Sequence, residues 1–172
     1  MTNRNNIFLV GPMGAGKSSV GRRLAKRKHL RFFDCDREIE KRTGVSIAVI
    51  FEIEGEEGFR RREKQMLEEL TGHTGVVLAT GGGVVLDPAN RKMLGERGFV
   101  IYLKASADQL FKRTGRDRKR PLLDTEHPRE RTVEILEARA GRYEEIADLI
   151  VDTDFHTVEN VVDEICSHNI LK

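Results

Sequence analysis

Residues 11–18, Gly-Pro-Met-Gly-Ala-Gly-Lys-Ser, carry the G-x-x-x-x-G-K-[ST] spacing of a phosphate-binding loop. Glycines let successive backbone N–H groups turn inward and cradle phosphate oxygens at a helix N-terminus. That cradle would draw on Gly14, Ala15, Gly16, Lys17, Ser18 and Ser19. Lys17 can reach the terminal phosphates of a nucleotide, and the Ser18 hydroxyl can ligate Mg²⁺. The motif requires a strand before it and a helix after it. Residues 7–10 read as a buried strand, and residues 18–28 as a helix with Val20, Leu24 and Ala25 on one face. An ordinary glycine-rich turn would not need that context.

Five further groups could face such a loop. Asp34-Cys35-Asp36 follows Arg31-Phe32-Phe33. If extended geometry persists, the two carboxylates share one side and Cys35 takes the other. One carboxylate could help hold hydrated Mg²⁺, and the other could orient a substrate hydroxyl or accept its proton. The competing reading makes Asp36 the N-cap of a helix over 37–42. Gly81-Gly82-Gly83 leaves a strand at 76–79 and reads as a ligand-facing loop. Arg60 lies in Phe59-Arg60-Arg61-Arg62, on a helix whose buried stripe is Phe59, Met66, Leu67 and Leu70; only one of three consecutive arginines can face a site. Arg139 borders a stripe of Val133, Leu136, Ala140 and Tyr143, so it is either partly turned inward and in need of an anion or packed along its stem with its head in water. A basic flap, Arg116-Asp117-Arg118-Lys119-Arg120-Pro121, could close over a transferring phosphoryl group, with Arg120 directed inward. Together these residues suit phosphoryl transfer to a hydroxyl of a small molecule that also bears an anionic group.

The elements that must position them follow from periodicity. Five short apolar runs, at 7–10, 31–33, 76–79, 99–103 and 149–151, alternate with helical patterns, which predicts a parallel sheet covered on both faces. The helix at 88–97 has Asp87 as N-cap, Pro88 at its first position and Gly98 just past its end. The last helix shows a stripe of Val158, Val161, Val162, Ile165 and Cys166. Two stretches read as insertions: the helical 45–73 and the basic, turn-rich 115–127. The 172 residues predict one α/β domain over 1–172, with 34–73 as substrate-binding region and 115–127 as a mobile lid. Charged residues make up 34%, yet the net charge is only +2. A broad nucleic-acid or membrane-binding surface is therefore not indicated. Cys35 and Cys166 have no metal or disulfide spacing, the N-terminus shows no signal-peptide pattern, and no stretch is long enough to span a bilayer. A cytoplasmic protein is the expectation.

These residues, in this order, resemble the shikimate kinase family: the loop at 11–19 with Gly21, Asp34-x-Asp36, residues 56–63 with Phe59-Arg60, the glycine triplet, Arg120-Pro121-Leu122-Leu123, and Arg139 followed by Tyr143. The resemblance implies a three-layer P-loop kinase fold with a five-stranded parallel sheet in order 2-3-1-4-5. It implies phosphorylation of the 3-hydroxyl of shikimate by ATP, with Mg²⁺, in the route to chorismate and aromatic amino acids. It assigns Lys17 to the ATP phosphates, Ser18 to the metal, and Asp34 to the metal through water. Asp36 becomes the candidate base and binds the substrate hydroxyls. Arg60 and Arg139 take the shikimate carboxylate, with Gly81, Gly82 and Gly83 lining the pocket. Arg120 meets ATP from the flap, and Arg113 lies near the adenine. A monomer is implied. A gluconate or nucleoside-monophosphate kinase of the same fold is the close rival. A GTP-dependent switch would want an N-K-x-D guanine reader, which is missing. A nucleic-acid-dependent ATPase would want an aromatic stacking surface, but the chain has two tyrosines and no tryptophan.

Overall fold

The computed structural model describes residues 4–114, 123 and 125–170. Its strands are β1 (Ile7–Val10), β2 (Arg31–Asp34), β3 (Val76–Ala79), β4 (Phe99–Lys104) and β5 (Leu149–Asp152). They form one parallel sheet in the order β2-β3-β1-β4-β5. The helices are α1 (Lys17–Lys28), α2 (Cys35–Thr43), α3 (Ile47–Thr71), α4 (Pro88–Arg97), α5 (Ala107–Thr114), α6 (Pro128–Ile146) and α7 (Val158–Ser167).

Central position explains the composition of β1 and β3. Each is buried along its whole length, so every residue must be apolar. The pleat sends alternate side chains to opposite faces, which divides the interior in two. Phe8 and Val10 join a core with Cys35, Phe59, Met66, Leu67 and Tyr143 under α2, α3, α4 and α6. Ile7 and Leu9 join a second with Val20, Leu24, Val161 and Ile165 under α1 and α7. The edge strands β2 and β5 are only partly buried. They carry the charges that would be costly in the middle.

Helix ends follow local chemistry. Asp87 caps α4 by accepting from Ala89 N–H at 2.8 Å, with Pro88 beginning the helix. Thr157 and Asn160 form a capping box on α7. Two expectations need correction. Extended backbone stops at Asp34, because its carboxylate caps α2, accepting from Arg37 N–H at 3.2 Å. Cys35 therefore opens a helix and points into the core, and Asp36 lies in the first turn instead of at the cap. Gly98 follows α4 as expected; its backbone is extended, and the Phe8 ring occupies the space a Cβ would take. Finally, the buried face of α6 is Thr132, Ile135, Arg139 and Tyr143, so Arg139 lies within that face and not at its border.

The helix α3 is two helical stretches meeting at Gly55, whose φ of 71° and ψ of −179° suit glycine alone. Arg62 grips Glu54 across this break through two contacts of 2.8 and 2.6 Å.

Candidate active site

The phosphate loop leaves the central strand β1 and enters α1. Gly16 is the N-terminal cap in the left-handed region, φ 94°, and among the described residues no side chain caps the first amides of α1. Those N–H groups and the positive helix end form an anion site. Lys17 is 8% exposed, and its ammonium donates to the carbonyls of Gly11 at 2.6 Å and Pro12 at 2.9 Å. The charge is thus folded back over its own loop, within reach of a phosphate seated there. The Ser18 hydroxyl donates to Asp34 Oδ2. Asp34 therefore ties the start of α1 to the end of β2, while its other oxygen caps α2. Ser19 is exposed beside the loop. Arg113, on α5, donates to the Gly14 carbonyl at 3.1 Å and to the Thr153 carbonyl at 3.1 Å, bracing the loop against the segment after β5.

A second cluster forms around the glycine triplet at the carboxyl end of β3. A Cβ on Gly81 would lie 2.7 Å from Glu63 Oε2 and 3.2 Å from Asp36 Oδ1. On Gly82 it would lie 3.6 Å from Arg139 Nη1 and 3.4 Å from the Met13 nitrogen of the phosphate loop. On Gly83 it would overlap the Arg60 guanidinium. Four charged side chains from α2, α3 and α6 converge on the triplet, and those of α2 and α3 fill the space a Cβ would need at Gly81 and Gly83. The contact with Met13 brings this cluster to the phosphate loop.

Of the three consecutive arginines, Arg60 turns inward; its side chain is 22% exposed, against 66% for Arg61 and 41% for Arg62. It donates to Glu63 at 2.9 Å and to Glu56 at 3.2 Å. Glu63 is 1% exposed. Burial pushes its carboxyl up, and Arg60 and Arg139 offset part of that. Burial, then Glu63 and Asp34, push Asp36 up to about 7, with Lys17 and Arg60 acting in the other direction. Asp36 Oδ1, Glu63 Oε2 and Arg60 Nε are buried and, among the described residues, have no hydrogen-bond partner. Two acceptors and one donor so placed suit a ligand carrying both hydroxyl and carboxylate groups. The Tyr143 hydroxyl donates to the Gly82 carbonyl, closing the cluster from below.

The structure thus brings Asp36, Arg60, Arg139 and Gly81–Gly83 together, beside a loop holding Lys17 and Ser18. Arg120 and most of the expected lid, residues 115–122 and 124, lie outside the described residues. Glu63 was missed by sequence reasoning, yet its signal was present. It falls four after Phe59 and three before Met66, a charge inside an apolar stripe.

Sheet order and phosphate loop together define a P-loop kinase. A sequence profile described as Shikimate kinase matches residues 13–169. A shikimate kinase of Thioalkalivibrio sulfidiphilus is 58% identical over 165 residues, covering 96% of this chain and 87% of that protein. One from Aromatoleum aromaticum is 60% identical over 146 residues, covering 85% and 83%. The solved structure of shikimate kinase from Acinetobacter baumannii in complex with shikimate is 44% identical. It superposes with a TM-score of 0.92, over 94% of this chain and 90% of that one. The chain belongs to the shikimate kinase family.

Proposed function

We propose that this protein transfers the γ-phosphoryl group of ATP to the 3-hydroxyl of shikimate, giving shikimate 3-phosphate and ADP. The observation that carries the reading is the convergence of Asp36, Glu63, Arg60 and Arg139 on the Gly81–Gly83 turn, next to Met13 of the phosphate loop. Two arginines suit one carboxylate, and two carboxylates suit a set of hydroxyls. The A. baumannii relative, named as a complex with shikimate, supports the same acceptor.

In this reading the amides of residues 14–19 hold the ATP phosphates. Lys17 moves from the Gly11 and Pro12 carbonyls onto the phosphates and stabilises the charge that develops during transfer. Arg113 braces the loop near the nucleotide, and Arg120 meets ATP from a lid over 115–127. Arg60 and Arg139 orient the shikimate carboxylate. Asp36 binds the 3-hydroxyl and takes its proton as the oxygen attacks the γ-phosphorus and the bond to the β-phosphate oxygen breaks. For Mg²⁺, the paired oxygens of Ser18 and Asp34 fit: both are hard donors, and Asp34 would act through water. Bound there, the ion would neutralise phosphate charge. The same reading carries a single kinase domain over 1–172, with 34–73 as its substrate region. It also carries a monomer in the cytoplasm, with no nucleic-acid partner. Among the described residues no helix is long and apolar enough to cross a membrane.

The test is ADP release from Mg·ATP with shikimate, gluconate or AMP added separately. Release with shikimate alone is expected. Release with gluconate or AMP instead would keep the loop and reassign the acceptor cluster.

A further inference from the structure

The deepest member of the acceptor cluster is uncharged. Tyr143 has no exposure, and its ring packs on Tyr102 with centroids 5.1 Å apart at 31°. Its hydroxyl donates to the Gly82 carbonyl, 61 residues away in sequence. A buried carbonyl needs such a donor. Arg139 lies one turn earlier on the same buried face. Its positive charge favours the ionised phenol, against the burial that raises it. Arg139 Nη1 also lies 3.6 Å from the Gly82 Cβ position. The Tyr143 hydroxyl and the Arg139 guanidinium therefore both lie against Gly82. The rest of the turn is held from the other side, where Asn90 donates to the Val84 carbonyl at 3.1 Å and Arg91 to the Val85 carbonyl at 2.7 Å.

We infer that Tyr143 is a positioning residue for the acceptor carboxylate, a hydroxyl brace that fixes Arg139 and the Gly82 backbone relative to each other. Through that brace α6 and the glycine turn present their donors as one preset unit, and the acceptor does not have to order them on binding. The inference rests on the shikimate reading above. It assigns Tyr143 no contact with the reacting atoms.

The experiment compares the intact wild-type chain with Tyr143→Phe and Tyr102→Phe. Tyr143→Phe removes only the hydroxyl. Calorimetric Kd and steady-state KM for shikimate should rise roughly tenfold, the scale of one buried hydrogen bond. The effect on KM should exceed that on kcat, and KM for ATP should stay within about twofold. Tyr102→Phe keeps the ring contact and should leave the shikimate Kd unchanged. The chain has two tyrosines and no tryptophan, so in Tyr102→Phe all tyrosine absorbance and fluorescence come from Tyr143. Shikimate alone should perturb that signal. This measurement decides the matter if Tyr143→Phe fails to fold. An unchanged shikimate Kd in Tyr143→Phe, equal losses for shikimate and ATP, or a Tyr143 signal blind to shikimate would each overturn the inference while wild-type turnover upholds the function. A wild-type chain that neither binds nor phosphorylates shikimate would remove both together.

Discussion

At Asp36, burial, Glu63 and Asp34 all disfavour the carboxylate, and Lys17 and Arg60 recover only part of the difference. The folded state therefore binds this proton more tightly than the unfolded chain, with a value of about 7 against an ordinary 3.8. For a carboxyl raised in this way, the stabilising contribution is fully present below about pH 4 and is lost as pH rises through about 7. Asp36→Asn should accordingly melt above wild type at pH 8, with a difference that shrinks toward pH 5. Its turnover of shikimate should fall by about a hundredfold or more. Melting curves at both pH values, beside initial rates, check the pair; a lower Tm at pH 8 would contradict the strain argued for Asp36. Lys17→Ala should fold and lose roughly a hundred- to a thousandfold in turnover. Circular dichroism with ADP release measures both, and near-normal rates would refute the role given to the loop lysine.

Between elements, glycines do two different jobs that substitution to alanine should separate. Gly11, at φ 146°, would bring a Cβ to 2.6 Å from the Leu103 carbonyl, which is backbone of β4 and cannot yield. Gly83→Ala meets only the guanidinium end of Arg60, which can swing away. Gly11→Ala should lower Tm and soluble yield. Gly83→Ala should keep Tm within a few degrees and raise the shikimate KM by about tenfold, on the scale of one displaced charged hydrogen bond. Thermal melts and kinetics of both variants distinguish them. The same contrast explains what sequence could tell. The strands, the phosphate loop and the bounds of α4 were readable because apolar runs and capping residues are local. The choice of Arg60 over Arg61 and Arg62 was not, since it depends on Glu63 and Gly83 meeting it in space. The face of α6 was misplaced by a step because Thr132, a polar residue, holds a buried position that an apolar count passes over. Asp36 was placed on a strand because nothing in the local pattern shows that Asp34 would end it by capping.

Across the whole molecule, the sheet sets its chemistry at the carboxyl ends of the strands and its structural ties at the other. Asn6 is such a tie. Its amide donates to the His73 carbonyl at 2.7 Å and accepts from Val76 N–H at 3.2 Å, joining the start of β1 to that of β3. Asn6→Ala strands buried backbone groups and should cost about 2 kcal/mol. In a chain of this length, that lowers Tm by roughly 4–8 °C. Kinetic constants for shikimate and ATP should not change, because the site lies at the far edge. A melt paired with saturation kinetics tests this, and a shifted shikimate KM would show that the two edges are coupled. The parallel sheet and its two cores were legible from the alternation of strand and helix, whereas the strand order came from the family resemblance. The pairing of particular termini through Asn6 was not, since a single polar residue before a strand has no periodicity.

Cys35 has no exposure, and burial raises its thiol well above the ordinary range. It sits one residue from Asp36, while Cys166 is partly exposed. A disulfide reagent should therefore modify Cys166 in the native protein and reach Cys35 only when the segment carrying Asp36 opens. The chain thus contains its own stopwatch. The lag between the two labelling phases times how often the acceptor side breathes, and shikimate should lengthen that lag as the unoccupied fraction falls.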